Sequence, residues 1–70
     1  MLYLTYLDIF NFLSNQLNCV LAFKGNTLYV NTRTSELNAG IIAGTIEGLL
    51  YSQEYKKTVE VVNKDLIKIY

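Results

Sequence analysis

Three glycines, Gly40, Gly44 and Gly48, recur at every fourth position of a segment that otherwise has helical spacing. At about 100° per residue they form one narrow stripe along that helix. A glycine inside a helix costs about 1 kcal/mol relative to alanine, so three cost about 3 kcal/mol, a large share of the stability of a short chain. We therefore expect another backbone to approach the stripe closely enough to offset this cost, which indicates an assembly module.

Length and composition favour a single domain that is stabilised by association. A domain of 70 residues buries only about 60% of the surface that its unfolded chain exposes. The one cysteine, Cys19, allows no intrachain disulfide, and the absence of histidine removes the commonest zinc ligand. Yet 51% of the residues are hydrophobic, which is more than a monomer of this size easily buries. We predict one interaction domain, residues 1–70, that binds a protein partner and needs no cofactor.

The charge pattern argues against nucleic-acid binding, and the hydropathy pattern argues against membrane insertion. Six basic residues balance six acidic ones, and they form no stripe of the kind that contacts phosphates. Polar residues interrupt the apolar first 23 positions too often for a membrane-spanning helix. The start also lacks the basic region of a signal peptide, and Asp8 lies where its apolar core would be. We expect a cytoplasmic protein with a reduced thiol and no stable membrane insertion.

Residues 3–17 have the periodicity of a first helix. One face of that helix collects the residues expected in the core: Tyr6, Ile9, Phe10, Leu13 and Leu17. Phe12 lies off this face between polar neighbours, so we predict that it contacts a second chain.

A hairpin follows the first helix, with strands at 19–23 and 27–31 around a Gly-Asn turn. Its first strand is apolar on both faces, which predicts a strand that is covered on both sides or at least lies inside a sheet.

The glycine-containing segment is predicted to form the second helix, capped by Thr34 or Ser35, with Glu36 in its first turn. Its core-facing residues are Ala39, Ile42, Ala43, Ile46, Leu49 and Leu50. The glycine stripe lies roughly 120° or more around the helix from them. The residues that flank the stripe are Leu37, Ile41, Thr45 and Tyr51. The stripe either packs within the chain or meets a partner helix, and we favour the partner; a membrane GxxxG contact is disfavoured by the polar flanks.

A second hairpin is predicted at 57–62 and 66–70, around the turn Asn63–Asp65. The order helix-strand-strand-helix-strand-strand predicts an α+β fold, in which an antiparallel four-stranded sheet packs with two helices on one or both faces.

The strand at 57–62 is expected at an edge of this sheet, with no proline or bulge to protect it. Its alternate residues Thr58, Glu60 and Val62 could extend the sheet into a neighbouring chain. The preceding lysines, at 56 and 57, are alternatively charges that guard the edge.

No grouping of residues in the sequence points to catalysis. An enzyme would need a nucleophile beside a base, paired carboxylates or a metal cluster, whereas the acidic residues here are spread over separate elements. Cys19 is interpreted as a small buried hydrophobe at the start of a strand rather than as a reactive thiol. The turn Lys24–Asn26 is too short for a phosphate-binding loop. We expect a protein that is not an enzyme and binds no metal.

Three parts of the chain, residues 20–30, 35–42 and 58–70, together resemble the roadblock family in element order over almost the whole length. Members of this family include a dynein light chain, small Ragulator subunits and regulators of small GTPases. The resemblance implies a dimer in which the second helices pack side by side and the third strands join two sheets into one. The contact residues that it implies are Ile41, Gly44, Thr45, Gly48, Thr58, Glu60 and Val62, to which the glycine spacing adds Gly40. Family members usually continue into a fifth strand, whereas this sequence ends at Tyr70.

Residues 42–50 also look like the helix of TRAPP subunits and of the related vinyl-reductase-type ligand-binding domains. The longer N-terminal helical part of those proteins and the cysteines of the ligand-binding relatives have no counterpart here. We expect a scaffold or adaptor subunit that works as a homodimer or heterodimer within a larger complex, such as a motor light chain or a small-GTPase regulatory scaffold. The alternatives are a TRAPP-like subunit of a vesicle-tethering complex and a small-ligand-binding module with a cavity between the second helix and the sheet.

Overall fold

Two helices cover one face of a four-stranded antiparallel sheet, which confirms the predicted α+β fold. The computed structural model describes residues 6–70, with side chains from Asp8 onward. In chain order the elements are α1 (Tyr6–Asn15), β1 (Val20–Lys24), β2 (Thr27–Asn31), α2 (Ala39–Ser52), β3 (Val59–Asn63) and β4 (Leu66–Ile69). Their order is the predicted one; the first positions of the predicted first helix, 3–5, lie outside the described residues.

The pairing of β2 with β4 forms the centre of the sheet. The strand order is β1-β2-β4-β3, and all neighbouring strands are antiparallel. Each hairpin therefore contributes one inner and one outer strand, and α2 carries the chain from the inner strand of the first hairpin to the outer strand of the second. In the central pair, Leu28 lies opposite Ile69 and Val30 lies opposite Ile67. All four side chains are at most 1% exposed, so they form the floor of the core.

Both helices bury an apolar face against this floor, as their spacing predicts. The buried side chains of α1 are Ile9, Phe10 and Leu13, with Leu17 partly buried beside them. Those of α2 are Ala39, Ile42, Ala43, Ile46 and Leu50, with Leu49 partly buried. The side chain of Tyr6, also predicted in the core, lies outside the described residues. The main sheet contact of α1 is with β1 and that of α2 is with β3, so each helix lies over an outer strand.

The face of the sheet that points away from both helices, here termed the open face, mixes polar and apolar side chains. Side chains alternate between the two faces along each strand, so the neighbours of the buried floor residues belong to this face. Lys24 Nζ lies 5.7 Å from the ring centroid of Tyr29, and Lys68 Nζ lies 4.8 Å from that of Tyr70. Neither of the two described helices covers this face.

β1 is an edge strand, so its predicted position inside the sheet is wrong. Within residues 6–70 its strand neighbour is β2, and β2 uses its other side to pair with β4. Val20 and Phe23 are each 59% exposed, and only Leu21 packs partly against the core. Among residues 6–70 no strand pairs with the outer edge of β1, and Val20 on the open face and Phe23 on the helix face remain largely exposed.

Tight turns close both hairpins near the predicted places. In the first hairpin Lys24 pairs with Thr27, and Gly25 has a φ of +61°, which glycine adopts without the strain of a side chain. In the second hairpin Asn63 Oδ1 accepts a hydrogen bond from the Asp65 N–H at 2.9 Å, which stabilises the turn. The turn residues in the sequence thus predict the chain reversals correctly.

β3 contains a bulge, so the expectation of an unprotected edge is wrong at one end of this strand. The register shifts between Val61 and Asn63, which leaves Val62 as an additional residue opposite β4. A bulge twists an edge away from flat pairing with another chain. The bulge-free part of β3 is its first half, which includes Glu60.

α2 begins later than predicted, and Asn38 caps it. Asn38 Oδ1 accepts a hydrogen bond from the Ile41 N–H at 2.9 Å, which is the N-cap arrangement. The predicted caps, Thr34 and Ser35, are therefore wrong, and Glu36 lies before the helix rather than in its first turn.

Thr34 and Ser35, the two residues predicted to cap α2, make other hydrogen bonds. Thr34 Oγ1 donates to the Asn18 carbonyl at 2.7 Å, and Asn18 Nδ2 donates to the Thr34 carbonyl at 3.2 Å, so this pair joins the two loops that precede β1 and α2. Ser35 Oγ accepts from the Leu37 N–H at 3.3 Å, which makes a local turn instead of a helix start.

Asn38→Ala should lower the free energy of unfolding by about 0.5–2 kcal/mol, because it leaves the first-turn N–H of Ile41 without its side-chain acceptor. Asn38→Asp keeps an acceptor oxygen at the same position and should unfold near the wild-type midpoint. Urea unfolding followed by circular dichroism measures both. Equal midpoints for Asn38→Ala and the wild type would show that the cap contributes nothing.

Candidate association surface

The outer surface of α2 carries most of the predicted contact residues. We term this surface the α2 ridge and define it as Leu37, Gly40, Ile41, Gly44, Thr45, Gly48 and Tyr51. All seven are exposed; Leu37 lies just before the helix, and the other six lie on the side of α2 that points away from the buried Ile42 and Ile46. The ridge therefore faces away from the sheet, and Ile41 and Tyr51, at 52% and 87% exposure, project from it.

Gly44 and Gly48 make the floor of the ridge open. A Cβ added at either position would meet no described atom outside the helix backbone within 4 Å. At Gly40 an added Cβ would meet only Asn38 Oδ1, at 3.3 Å. The interpretation that these glycines allow tight packing within the chain is thus wrong for Gly44 and Gly48, as far as residues 6–70 are concerned. Their cost of about 1 kcal/mol each is not offset by a close contact in that part of the chain.

The side-chain hydroxyls at this surface are satisfied within the helix. Thr45 Oγ1 donates to the Ile41 carbonyl at 3.1 Å, and Ser52 Oγ, near the helix end, donates to the Leu49 carbonyl at 2.9 Å. Neither hydroxyl needs a new partner if the surface is covered, so covering it leaves no unsatisfied donor of this kind. Glu47 is the one charged side chain within α2, and it borders the ridge. The ridge can therefore be desolvated at low cost.

Two predicted contact residues, Thr58 just before β3 and Glu60 within it, belong to the sheet and not to α2. Glu60 pairs with Lys68, and Thr58 exchanges backbone hydrogen bonds with Tyr70 at 2.8 and 3.0 Å. These positions alternate with the buried floor of the sheet, so both side chains belong to the open face. Thr58 also lines a surface pocket with Tyr51 of the α2 ridge, whereas Glu60 lies two residues further along the chain, in β3.

The two remaining predicted contact residues are also separate from the ridge. Val62 is the bulge residue of β3 and is 47% exposed. Phe12 lies on α1 and is 39% exposed. The structure thus brings together five predicted residues, Gly40, Ile41, Gly44, Thr45 and Gly48, and leaves the other four dispersed.

A second exposed apolar surface, at the outer edge of β1, is absent from the sequence prediction. A groove of about 480 Å³ runs between α1 and β1, and its lining includes Phe10, Ser14 and Leu21. Phe23 also lines the groove, with its ring edge-to-face against Phe10 at a centroid distance of 5.1 Å. The sequence signal for this surface is the strand that is apolar on both faces, a pattern that predicts burial.

Cys19 is a free, buried thiol, as the sequence predicts. It is 3% exposed and belongs to the core, and its Sγ lies 3.7 Å from the Leu17 carbonyl. Burial raises the pKa of this thiol above its ordinary value, and a hydrogen bond from Ser35 opposes part of that rise. The neutral thiol is therefore favoured in the folded state, which suits packing and not nucleophilic chemistry.

Cys19 should react slowly with iodoacetamide at neutral pH in the folded protein and rapidly in denaturant, because burial removes access and raises the pKa.

The raised pKa of Cys19 also predicts a pH dependence of stability. Its contribution to the free energy of unfolding is fully present below the pKa of the unfolded thiol and is lost as the pH rises through the higher pKa of the folded one. Mass spectrometry of the alkylated protein and urea unfolding at neutral and alkaline pH measure these effects. Equal alkylation rates with and without denaturant would show that the thiol is accessible.

The part of the chain that the structure describes has few features that suit metal binding, membrane insertion or a deep ligand site. No group of three or more His, Cys, Asp or Glu side chains in that part of the chain could hold a metal ion. Neither described helix has the length and apolar character needed to cross a bilayer. The alternative of a small-ligand-binding module requires a cavity between α2 and the sheet. The side chains of Ile42, Ile46 and Ile67, which lie there, have no exposed surface, so solvent does not reach this part of the core.

Comparisons with protein families, with characterised proteins and with solved structures find no match to this chain. Function must therefore be inferred from the exposed surfaces of the fold.

Proposed function

We propose that this chain is a non-enzymatic scaffold or adaptor subunit that binds a partner protein through the α2 ridge. The partner presents a helix that lies along Gly44 and Gly48, between the projecting side chains of Ile41 and Tyr51. The observation that carries the proposal is the open glycine floor, where an added Cβ would have free space in the described part of the chain. These glycines lower the stability of the helix in a monomer, but they leave room for a partner helix at an interface.

The energetics of the ridge favour association. Ile41 and Tyr51 are 52% and 87% exposed, and burying a large apolar side chain contributes about 1.5–3 kcal/mol. Helices with side chains at their contact pack with axes about 8–10 Å apart. Without side chains at Gly44 and Gly48, a partner backbone can approach more closely, which adds dispersion contacts along the stripe. The internally bonded hydroxyl of Thr45 adds no desolvation penalty.

The specific form that we propose is a dimer of paired second helices, as the resemblance to the roadblock family implies. The partner is a second copy or a related chain, and the dimer works in the cytoplasm within a larger complex, such as a motor light chain or a small-GTPase regulatory scaffold. The support for this form is the shared element order together with the α2 ridge. Any joining of sheets through β3 would use Thr58 and Glu60, because the bulge at Val62 interrupts flat pairing.

Gly44→Leu should abolish dimerisation and stabilise the monomer. The leucine fills the space that the partner backbone needs, whereas in the isolated chain it meets open space and raises helix propensity by about 0.5–1 kcal/mol. Sedimentation velocity over a range of concentrations measures the dimer. Urea unfolding at a concentration that keeps the wild type monomeric measures the monomer.

Two variants serve as controls for this experiment. Gly44→Ala adds the smallest side chain and should weaken the dimer less than leucine does. Asn15→Leu adds the same side chain on the exposed surface of α1 and should leave the dimer intact. A Gly44→Leu protein that sediments like the wild type at every concentration would contradict the proposed use of the α2 ridge.

A further inference from the structure

The outer edge of β1 has backbone groups that the sheet does not use. Lys24 and Thr27 are partners across a two-residue turn, and because the residues that close such a turn bond to each other, Lys24 directs its backbone groups towards β2. In an antiparallel pair this direction alternates along the strand, which turns the backbone groups of Leu21 and Phe23 outward. Cys19 lies two residues before Leu21, so its backbone should also point away from β2. Its N–H does so, because it donates to the Leu13 carbonyl of α1 at 3.1 Å.

β1 is better suited to accept another strand than β3, the other edge. Its pairing with β2 is regular over all five residues, with no bulge, and it contains no proline. β3 has the bulge at Val62 and carries Glu60. A flat, apolar edge strand with unpaired backbone groups is a template for strand addition, and natural edges without such a function are usually blunted.

The groove between α1 and β1 provides the side-chain pocket that strand addition requires for specificity. Leu21 and Phe23 turn their side chains to the helix face, since they pair with the buried Val30 and Leu28. A strand placed beside β1 would direct its alternate side chains into the groove of about 480 Å³ that these two residues line with Phe10. The single charge of β1, Lys24, lies on the open face and favours a carboxylate opposite it.

We propose that the outer edge of β1 binds an extended segment of a partner protein as a fifth, antiparallel strand. The segment has apolar side chains at the two positions that face α1, which enter the groove, and an acidic residue opposite Lys24. Backbone hydrogen bonds to Leu21 and Phe23 supply affinity, and the groove supplies specificity. A scaffold dimerised through the α2 ridge would then present two such edges.

A second copy of this chain is disfavoured as the occupant. In an antiparallel pair of β1 strands related by a two-fold axis, both copies keep their helices on the same face of the joined sheet. α1 lies over β1, and neighbouring strands are about 4.8 Å apart. Two α1 helices so placed would be crowded, because helix axes pack about 8–10 Å apart. A bare extended segment brings no helix and avoids this conflict.

The test uses a synthetic peptide, acetyl-Ser-Glu-Val-Thr-Leu-Thr-Ser-amide, and the full chain labelled with ¹⁵N. Its Glu is placed opposite Lys24, and its Val and Leu opposite Phe23 and Leu21. In the free protein the amides of Leu21 and Phe23 should exchange hydrogen faster than that of Ala22, which points towards β2. Titration to millimolar peptide should shift the β1 resonances and slow exchange at Leu21 and Phe23.

Methylated peptides and matched protein variants decide whether binding is by strand addition. Methylating the Val and Leu nitrogens of the peptide removes the donors that face β1 and should weaken binding at least roughly tenfold, whereas methylating the two Thr nitrogens should not. Phe23→Lys should weaken binding by a similar factor. Val61→Lys, which puts the same charge on the helix face of the other edge, should bind like the wild type.

Several results would overturn this proposal. They are slow exchange of the Leu21 and Phe23 amides in the free protein, no resonance shifts at millimolar peptide, and equal binding by both methylated forms. A loss of self-association in Phe23→Lys would instead make a second copy the occupant. Gly44→Leu should bind the peptide normally, so failure of the α2 ridge and failure of the β1 edge give different results.

Discussion

Without the pairing of β2 with β4, the two hairpins would not form one sheet. An isolated two-stranded hairpin is marginal in water, and each hairpin here gains a second neighbour only through this central pair. The facing pairs Leu28 with Ile69 and Val30 with Ile67 then provide a continuous apolar floor for both helices. Because the two strands are separated by the whole of α2, their pairing also closes a long loop, whose entropy the buried core must offset.

This central pairing decides where apolar surface stays exposed. Once β2 and β4 are inner strands, β1 and β3 are edges, and each helix lies over one of them. A sheet covered on one face buries only one side of each helix, so the outer side of α2 remains uncovered in the described structure. Much of the exposed apolar surface lies on the α2 ridge and at the outer edge of β1, and the rest is spread over Phe12, β3 and Tyr70. Both surfaces suit association, but by different physics: one admits a close helix, the other an unpaired backbone.

The local patterns of the sequence were good guides to the elements and to their buried faces. Helical spacing identified Ile9, Leu13, Ile42 and Ile46 as core residues, and all are buried. The Gly-Asn turn also predicted the first hairpin, because Gly25 supplies a positive φ. These features depend on residues close together in the chain. For the candidate site, the same spacing identified the exposed glycine stripe correctly, since one helix determines which of its sides is buried.

The errors arose where a residue's role depends on a distant neighbour. Thr34 is a reasonable cap by type, but its hydroxyl bonds to the loop at Asn18, so the helix begins only after Asn38. A strand that is apolar on both faces is usually an inner strand, and β1 is an edge because β2 pairs with β4 on its other side. The elements, their turns and the buried side of each helix could be read from local patterns, because they follow from contacts within a few residues. Which strands are inner, where β3 bulges and on which face of the sheet Glu60 lies depend on strand pairings across the whole chain, so they became clear only from the folded structure.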